Sequence, residues 1–117
     1  MSEHIQALDA FATSMQVTAN NLANINTNGF HSQRVDLESG PGDKGVRVQD
    51  IVENTQSGPL VPRLDERTGE DVMVEGSNVD VATEMTQMIQ DERAFEANAV
   101  ALASRERMIG QFIDEMV

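Results

Sequence analysis

The chain has 117 residues with 20 acidic against 8 basic side chains, a formal net charge of −12, four phenylalanines, and no cysteine, tryptophan or tyrosine. That length admits one small domain, or long helices around a small body. The acidity excludes a nucleic-acid partner and disfavours an anionic membrane surface, because neither is bound without a basic face.

The missing cysteines remove disulfide frameworks and thiolate metal sites. So little aromatic mass points to stability that depends on association with other chains. The charge is uneven: Arg34 is the lone base in residues 1–35, and the acids concentrate from Asp36 onward. It reads as solubility and suppression of premature association. No stretch approaches a membrane-spanning helix, and direct membrane insertion is not expected. The opening Met-Ser-Glu-His-Ile-Gln lacks the basic start, apolar run and cleavage site of a secretory signal. The expectation is a cytoplasmic protein, or one exported by a route that reads no such signal.

Ile5, Leu8, Ala12, Met15, Ala19 and Leu22 alternate at steps of three and four, a heptad seam widened by Phe11. The spacing predicts a helix over about residues 3–26, N-capped by Ser2, with Glu3 favourable at the positive end of its dipole. Asn20, Asn21, Asn24, Asn26 and Asn28 then crowd its end before Gly29. Asparagine competes with helix for nearby backbone groups, so the cluster reads as a helix terminus. An amide both donates and accepts, which also suits contacts between identical subunits. Asn20, Asn21 and Asn24 are therefore expected at a subunit interface.

In the middle the period falls to two. Val35 with Leu37, Val46 with Val48, and Val72 with Val74 alternate with polar residues as half-buried strands do. Ser39-Gly-Pro-Gly-Asp43, Ser57-Gly-Pro59, Pro62 and Thr68-Gly69 read as the turns between them. Residues 29–79 thus form a small β-rich insert, too thin to be an independent catalytic domain.

From Asp80, a good N-cap, a second and longer helix is expected through the end of the chain. Its seam is Val81, Met85, Met88, Glu92, Phe95, Ala99, Leu102, Glu106, Ile109, Ile113 and Met116, with a second stripe of Ile89, Val100, Ala103 and Phe112. Met85 and Met88 read as core filler. Glu92 and Glu106 read first as seam-edge residues whose carboxylates reach water, and second as residues that set register or oligomer state. Gly110 either admits a close neighbour or is tolerated at about 1 kcal/mol.

Residues for chemistry are few. His4 and His31 have no nearby ligand partner and read as solvated surface. Asp65, Glu66, Glu70, Asp71 and Glu75 are the densest acidic cluster, but without the spacing of an EF-hand. No phosphate-binding glycine loop or nucleophile elbow is present. The reading is a non-enzyme with no cofactor and no metal.

Two segments resemble the bacterial flagellar rod and hook (axial) proteins. One is Ala-Asn-Asn-Leu-Ala-Asn-Ile-Asn-Thr-Asn-Gly-Phe (19–30), followed by Arg34. The other is Gly-Ser-Asn-Val-Asp-Val-Ala-Thr-Glu-Met (76–85) with Glu-Arg-Ala-Phe-Glu-Ala-Asn-Ala (92–99), where Phe95 stands at the family's usual aromatic. The resemblance implies a mainly α fold whose N- and C-terminal helices pair as an antiparallel coiled coil, and it is nearest to a short proximal-rod protein. It divides the chain into a helix over 1–28, the insert over 29–79 and a helix over 80–117. It implies copies of the same chain and other rod or hook subunits as partners. It also implies export through the flagellar export apparatus without a cleaved signal peptide, to a basal-body rod in the periplasm. The expected subunit interface comprises Ile5, Leu8, Phe11, Met15, Asn20, Asn21, Leu22, Asn24, Met85, Met88, Phe95, Asn98, Leu102, Ile109 and Ile113. The rival readings are a regulatory coiled-coil dimer binding a partner through its acidic middle, and a calcium-binding module.

Overall fold

A computed structural model describes residues 2–116 and the side chains of residues 3–115. Helix α1 runs Ser2–Ala23 and helix α2 Val81–Met116, so about half the chain is helical. Between them lie strands β1 (Gln33–Ser39), β2 (Val46–Glu53), β3 (Leu60–Leu64) and β4 (Asp71–Glu75). They form two separate antiparallel hairpins, β1–β2 and β3–β4. The expected cap at Ser2 and the seam position at Met116 fall on side chains outside those described.

Helix α1 stops where the amides begin. The Asn24 N–H is shared between the carbonyls of Asn20 and Asn21, at 3.2 and 3.1 Å, and the Asn24 side-chain amide donates to the Asn20 carbonyl at 2.8 Å. Carbonyls that lose their helical partners are thus satisfied locally. Gly29, at φ +74, then turns the chain toward β1. Helix α2 starts as its sequence implies: the Asp80 carboxylate accepts from the Ala82 N–H at 3.0 Å and from the Thr83 hydroxyl at 3.2 Å.

The β1–β2 hairpin lies along α1. Its register shifts by one residue between Asp36 and Leu37, a bulge of the kind that bends a strand. Its tip rests on the first turns of α1, where a Cβ on Gly45 would come within 3.2 Å of the Glu3 Cβ. The β3–β4 hairpin packs chiefly on itself. Pro62, expected as a turn residue, sits inside β3 opposite Met73. A two-stranded ribbon has only edge strands, so a residue without an N–H is tolerated there.

Contacts between the helices ascend α1 as they descend α2. Asn21 meets Glu84, Ser14 meets Asp91 and Glu3 meets Arg105. The buried face of α1 differs from the expected seam. Ala7, Ala10, Ser14, Thr18 and Asn21 are buried, while Ile5 is exposed and Leu8, Met15 and Leu22 are half-buried. On α2 the inner line alternates Met88, Phe95 and Leu102 with Glu84, Asp91, Asn98 and Arg105. Met88, Phe95 and Leu102 lie on this line as expected, while between them it runs one residue away from Met85, Glu92, Ala99 and Glu106. The cause is the small, polar face of α1. Alanine, serine and threonine let the second helix approach closely, and carboxylates on α2 then find donors that an apolar seam would lack. Ala7 and Ala10, each 2 % exposed, are the only fully buried hydrophobic residues among those described.

The molecule is correspondingly thin, 82 × 23 × 21 Å, with a radius of gyration of 21.0 Å. A compact chain of this length would have about 13 Å.

Candidate assembly site

Three segments are sewn together where α1 gives way to β1 and β4 to α2. Asn21, 0 % exposed, is the largest fully buried side chain among those described. Its amide N–H groups donate to the Gln33 carbonyl at 2.6 Å and to the Glu84 carboxylate at 3.1 Å, and its Oδ1 accepts from the Gln33 N–H at 3.0 Å. One side chain thus joins α1, β1 and α2. Asn78 does comparable work nearby. Its Oδ1 accepts from the Ser32 N–H at 2.6 Å, and its Nδ2 donates to the carbonyls of Asn54 and Gln56 at 2.9 and 2.7 Å. A glycine at position 58 permits the close crossing of the chain below it: a Cβ there would lie 2.3 Å from the Gly76 carbonyl oxygen.

His31 completes the junction. Its Nδ1 lies 3.2 Å from Glu53 Oε1 and its Nε2 lies 3.0 Å from Glu75 Oε1, which also accepts the Gly58 N–H at 3.0 Å. The hydrogen bond to Glu75 holds the imidazole above its ordinary pKa, and the same bond, helped by Gly58, holds the Glu75 carboxyl below its own. The expectation of a solvated surface histidine is corrected: the ring is 26 % exposed and bridges both hairpins. Its carboxylate partners lie far from it in sequence, so only the fold could reveal them.

The helix pair carries a second polar line. The Ser14 hydroxyl donates to Asp91 Oδ2 at 2.5 Å and Gln87 Nε2 donates to Oδ1 at 2.9 Å, so the buried carboxylate is partnered on both oxygens. Arg105 donates to Glu3 at 3.1 Å, a bond that holds the Glu3 carboxyl below its usual pKa. Among the described residues no buried side-chain nitrogen or oxygen lacks a partner.

The expected interface residues divide into three groups. Asn21 faces wholly into its own chain, so its amide is not available to a neighbouring subunit, whereas Asn20 is exposed and Asn24 half-buried, its amide closing the end of α1. Leu8, Phe11, Met15, Leu22, Met88, Phe95, Asn98 and Leu102 are half-buried. Ile5, Met85, Ile109 and Ile113 are exposed, and with them Val81, Ile89, Val100, Met108 and Phe112. Beyond Arg105, roughly three turns of α2 extend past the start of α1, and Met108 and Phe112 there are 69 % and 64 % exposed. Gly110, in the same overhang, has no neighbouring atom within 4 Å of a built Cβ.

Among the described residues no helix is long and apolar enough to cross a membrane, and no three acidic or histidine side chains converge as they would around a metal ion. Asp65 instead closes the tip of the β3–β4 hairpin, accepting the Arg67 N–H at 2.9 Å.

The chain is thin, is stitched at a polar junction and exposes apolar residues along α2. Two family models match it. One, described as flagella basal body rod protein, covers residues 1–31, and the other, described as flagellar basal body rod FlgEFG protein C-terminal, covers residues 72–116. The chain belongs to the flagellar rod and hook family, whose members are structural proteins. The matched segments span α1 with His31, and β4 with the Asn78 junction and α2. A search of curated proteins returned no match.

Proposed function

We propose that this protein is a structural subunit of the flagellar basal-body rod, nearest to the short proximal-rod members, and that it self-assembles through its terminal helices into the axial drive shaft. In this reading α1 and α2 pair as an antiparallel coiled coil around the Ser14–Asp91 and Asn21–Glu84 contacts, and the apolar residues left outside that pairing meet other copies. The partners are further copies and other rod or hook subunits. The chain reaches the periplasmic rod through the flagellar export apparatus.

The observation that carries this reading is the unburied surface. The described chain exposes 8263 Å², whereas a compact protein of this mass exposes roughly 6300 Å². The excess, roughly 2000 Å², is on the scale of a stable subunit interface, and much of it is apolar along α2. Ile5, Met85, Ile109 and Ile113 are the interface residues best placed for a neighbour, with Asn20 at the rim. The paired Leu8, Phe11, Met15, Leu22, Met88, Phe95, Asn98 and Leu102 set the shape of the helix pair that is presented.

The test is incorporation. Basal bodies purified from cells carrying an epitope-labelled chain should contain the label in many copies along the rod. A label that stays in a closed cytoplasmic dimer would overturn the proposal and favour a regulatory coiled coil.

A further inference from the structure

Apart from the Asn21–Glu84 bond to α2, the junction ties its two hairpins through one titratable link among many neutral ones. Gly29 N–H donates to the Glu75 carbonyl at 2.9 Å, Gly76 N–H to the Pro59 carbonyl at 2.7 Å, and Asn54 N–H to the Ser32 carbonyl at 2.8 Å. These bonds and those of Asn78 carry no charge. Beside the neutral Asn78 bridge, His31 is the ionisable side chain that ties the end of β2, through Glu53, to the end of β4, through Glu75.

The geometry of that tie has a consequence for protonation. An ionised carboxylate only accepts hydrogen bonds, and a neutral imidazole has one N–H and one lone pair. Both ring nitrogens of His31 face carboxylate oxygens, at 3.2 and 3.0 Å. Only the imidazolium satisfies both contacts. In the neutral ring, one lone pair confronts a carboxylate oxygen at hydrogen-bond distance, and Glu53 and Glu75 lose the charge that balances them. Residues 54–59, Asn-Thr-Gln-Ser-Gly-Pro, and 76–79, Gly-Ser-Asn-Val, bring no further ionisable side chain; those close by along the chain include Arg34, which pairs with Asp36, and Asp50, Asp71 and Asp80.

We propose that His31 is a proton-dependent pin that fixes the β3–β4 hairpin to the end of β2, and that loss of its proton frees the hairpin to change its attitude on the rest of the chain. The hairpin suits that role because it packs chiefly on itself. Its base is therefore the place where its orientation is decided. The Gly58 N–H reports on the pin directly, since it donates to the same Glu75 oxygen that His31 engages. This inference concerns a single chain and stands apart from the assembly reading.

The test is NMR on the full chain in dilute solution. The His31 ring nitrogens should both be protonated at about pH 6, with a midpoint above the 6.5 of an ordinary histidine. Hydrogen-exchange protection of Gly58 and Gly76 should fall several-fold between about pH 5.5 and about pH 8, while α1 amides around Ser14 keep theirs. His31→Gln should give low, pH-independent protection at Gly58. Glu53→Gln, which leaves the fold intact at an exposed carboxylate, should lower the His31 midpoint toward 6.5. A single neutral tautomer at about pH 6, or hairpin protection unchanged through the titration, would overturn the proposal.

Discussion

Replacing Asn21 by alanine should be among the most damaging single substitutions in the first helix, even though it installs the better helix former. The side chain is fully enclosed and serves Gln33 on both its N–H and its carbonyl, and Glu84 on its carboxylate. Glu84 is itself 9 % exposed. Stripping its donor leaves a buried charged acceptor short of a partner, which costs about 1–3 kcal/mol or more. The Gln33 groups, at the exposed start of β1, recover water and lose about 0.5–1.5 kcal/mol each. Against this, alanine returns about 0.5 kcal/mol of helix propensity. The net expectation is destabilisation by about 2–4 kcal/mol, read from urea unfolding of dilute chain followed by circular dichroism. Asn20→Ala is the control: its side chain is exposed and makes only a 3.4 Å contact with Asn24, so its effect should stay within about 0.5 kcal/mol. If the two variants unfold alike, the junction assigned to Asn21 is wrong.

Other substitutions act on the remaining contacts. Ser14→Ala removes one donor from the buried Asp91 carboxylate and should cost about 1–3 kcal/mol in the same unfolding assay. Gly58→Ala places a Cβ against the Gly76 carbonyl and Ser77 backbone, which cannot yield as a side-chain tip would, and should cost about 1–3 kcal/mol. Gly110→Ala meets open space inside a helix and should stabilise the dilute chain by about 1 kcal/mol, seen as a higher urea midpoint. The His31–Glu75 pair sets a pH window. The raised imidazole contributes stability fully below 6.5 and loses it as pH rises through its folded value, while the lowered carboxyl contributes above 4.5 and loses it as pH falls. The stability gap between parent and His31→Gln should therefore be widest between those two values and close on either side.

The three-four periodicity of residues 81–113 gave the second helix and placed Met88, Phe95 and Leu102 on its inner line. It misled at the alternate positions because apolar spacing marks every greasy stripe, whether its partner is in the same chain or another. Glu84 and Asp91 are inner residues only because Asn21 and Ser14 lie opposite them, which no local spacing encodes. Asparagine chemistry indicated the end of α1, but one amide in a cluster of five cannot be singled out as enclosed without the chain that returns across it at Gln33 and Glu84. Strand β3 was masked by Pro62, whose reading as a breaker is sound for a central strand and fails for a two-stranded ribbon. His31 had no partner within reach along the sequence, and both of its carboxylates arrive through hairpin closure.

On the proposed function, the apolar face of α2 left bare by α1 is the assembly surface. A paired change there, Phe112→Asp with Ile113→Asp, lies in the overhang, where both residues are exposed. The dilute chain should keep its unfolding free energy within about 0.5 kcal/mol of the parent. The decisive measurement is quantitative mass spectrometry of basal bodies purified from cells that express either form as their sole copy. Many copies of the parent chain per basal body, and near-complete loss of the variant, are expected. Incorporation of the variant at the parent's level would contradict the proposal.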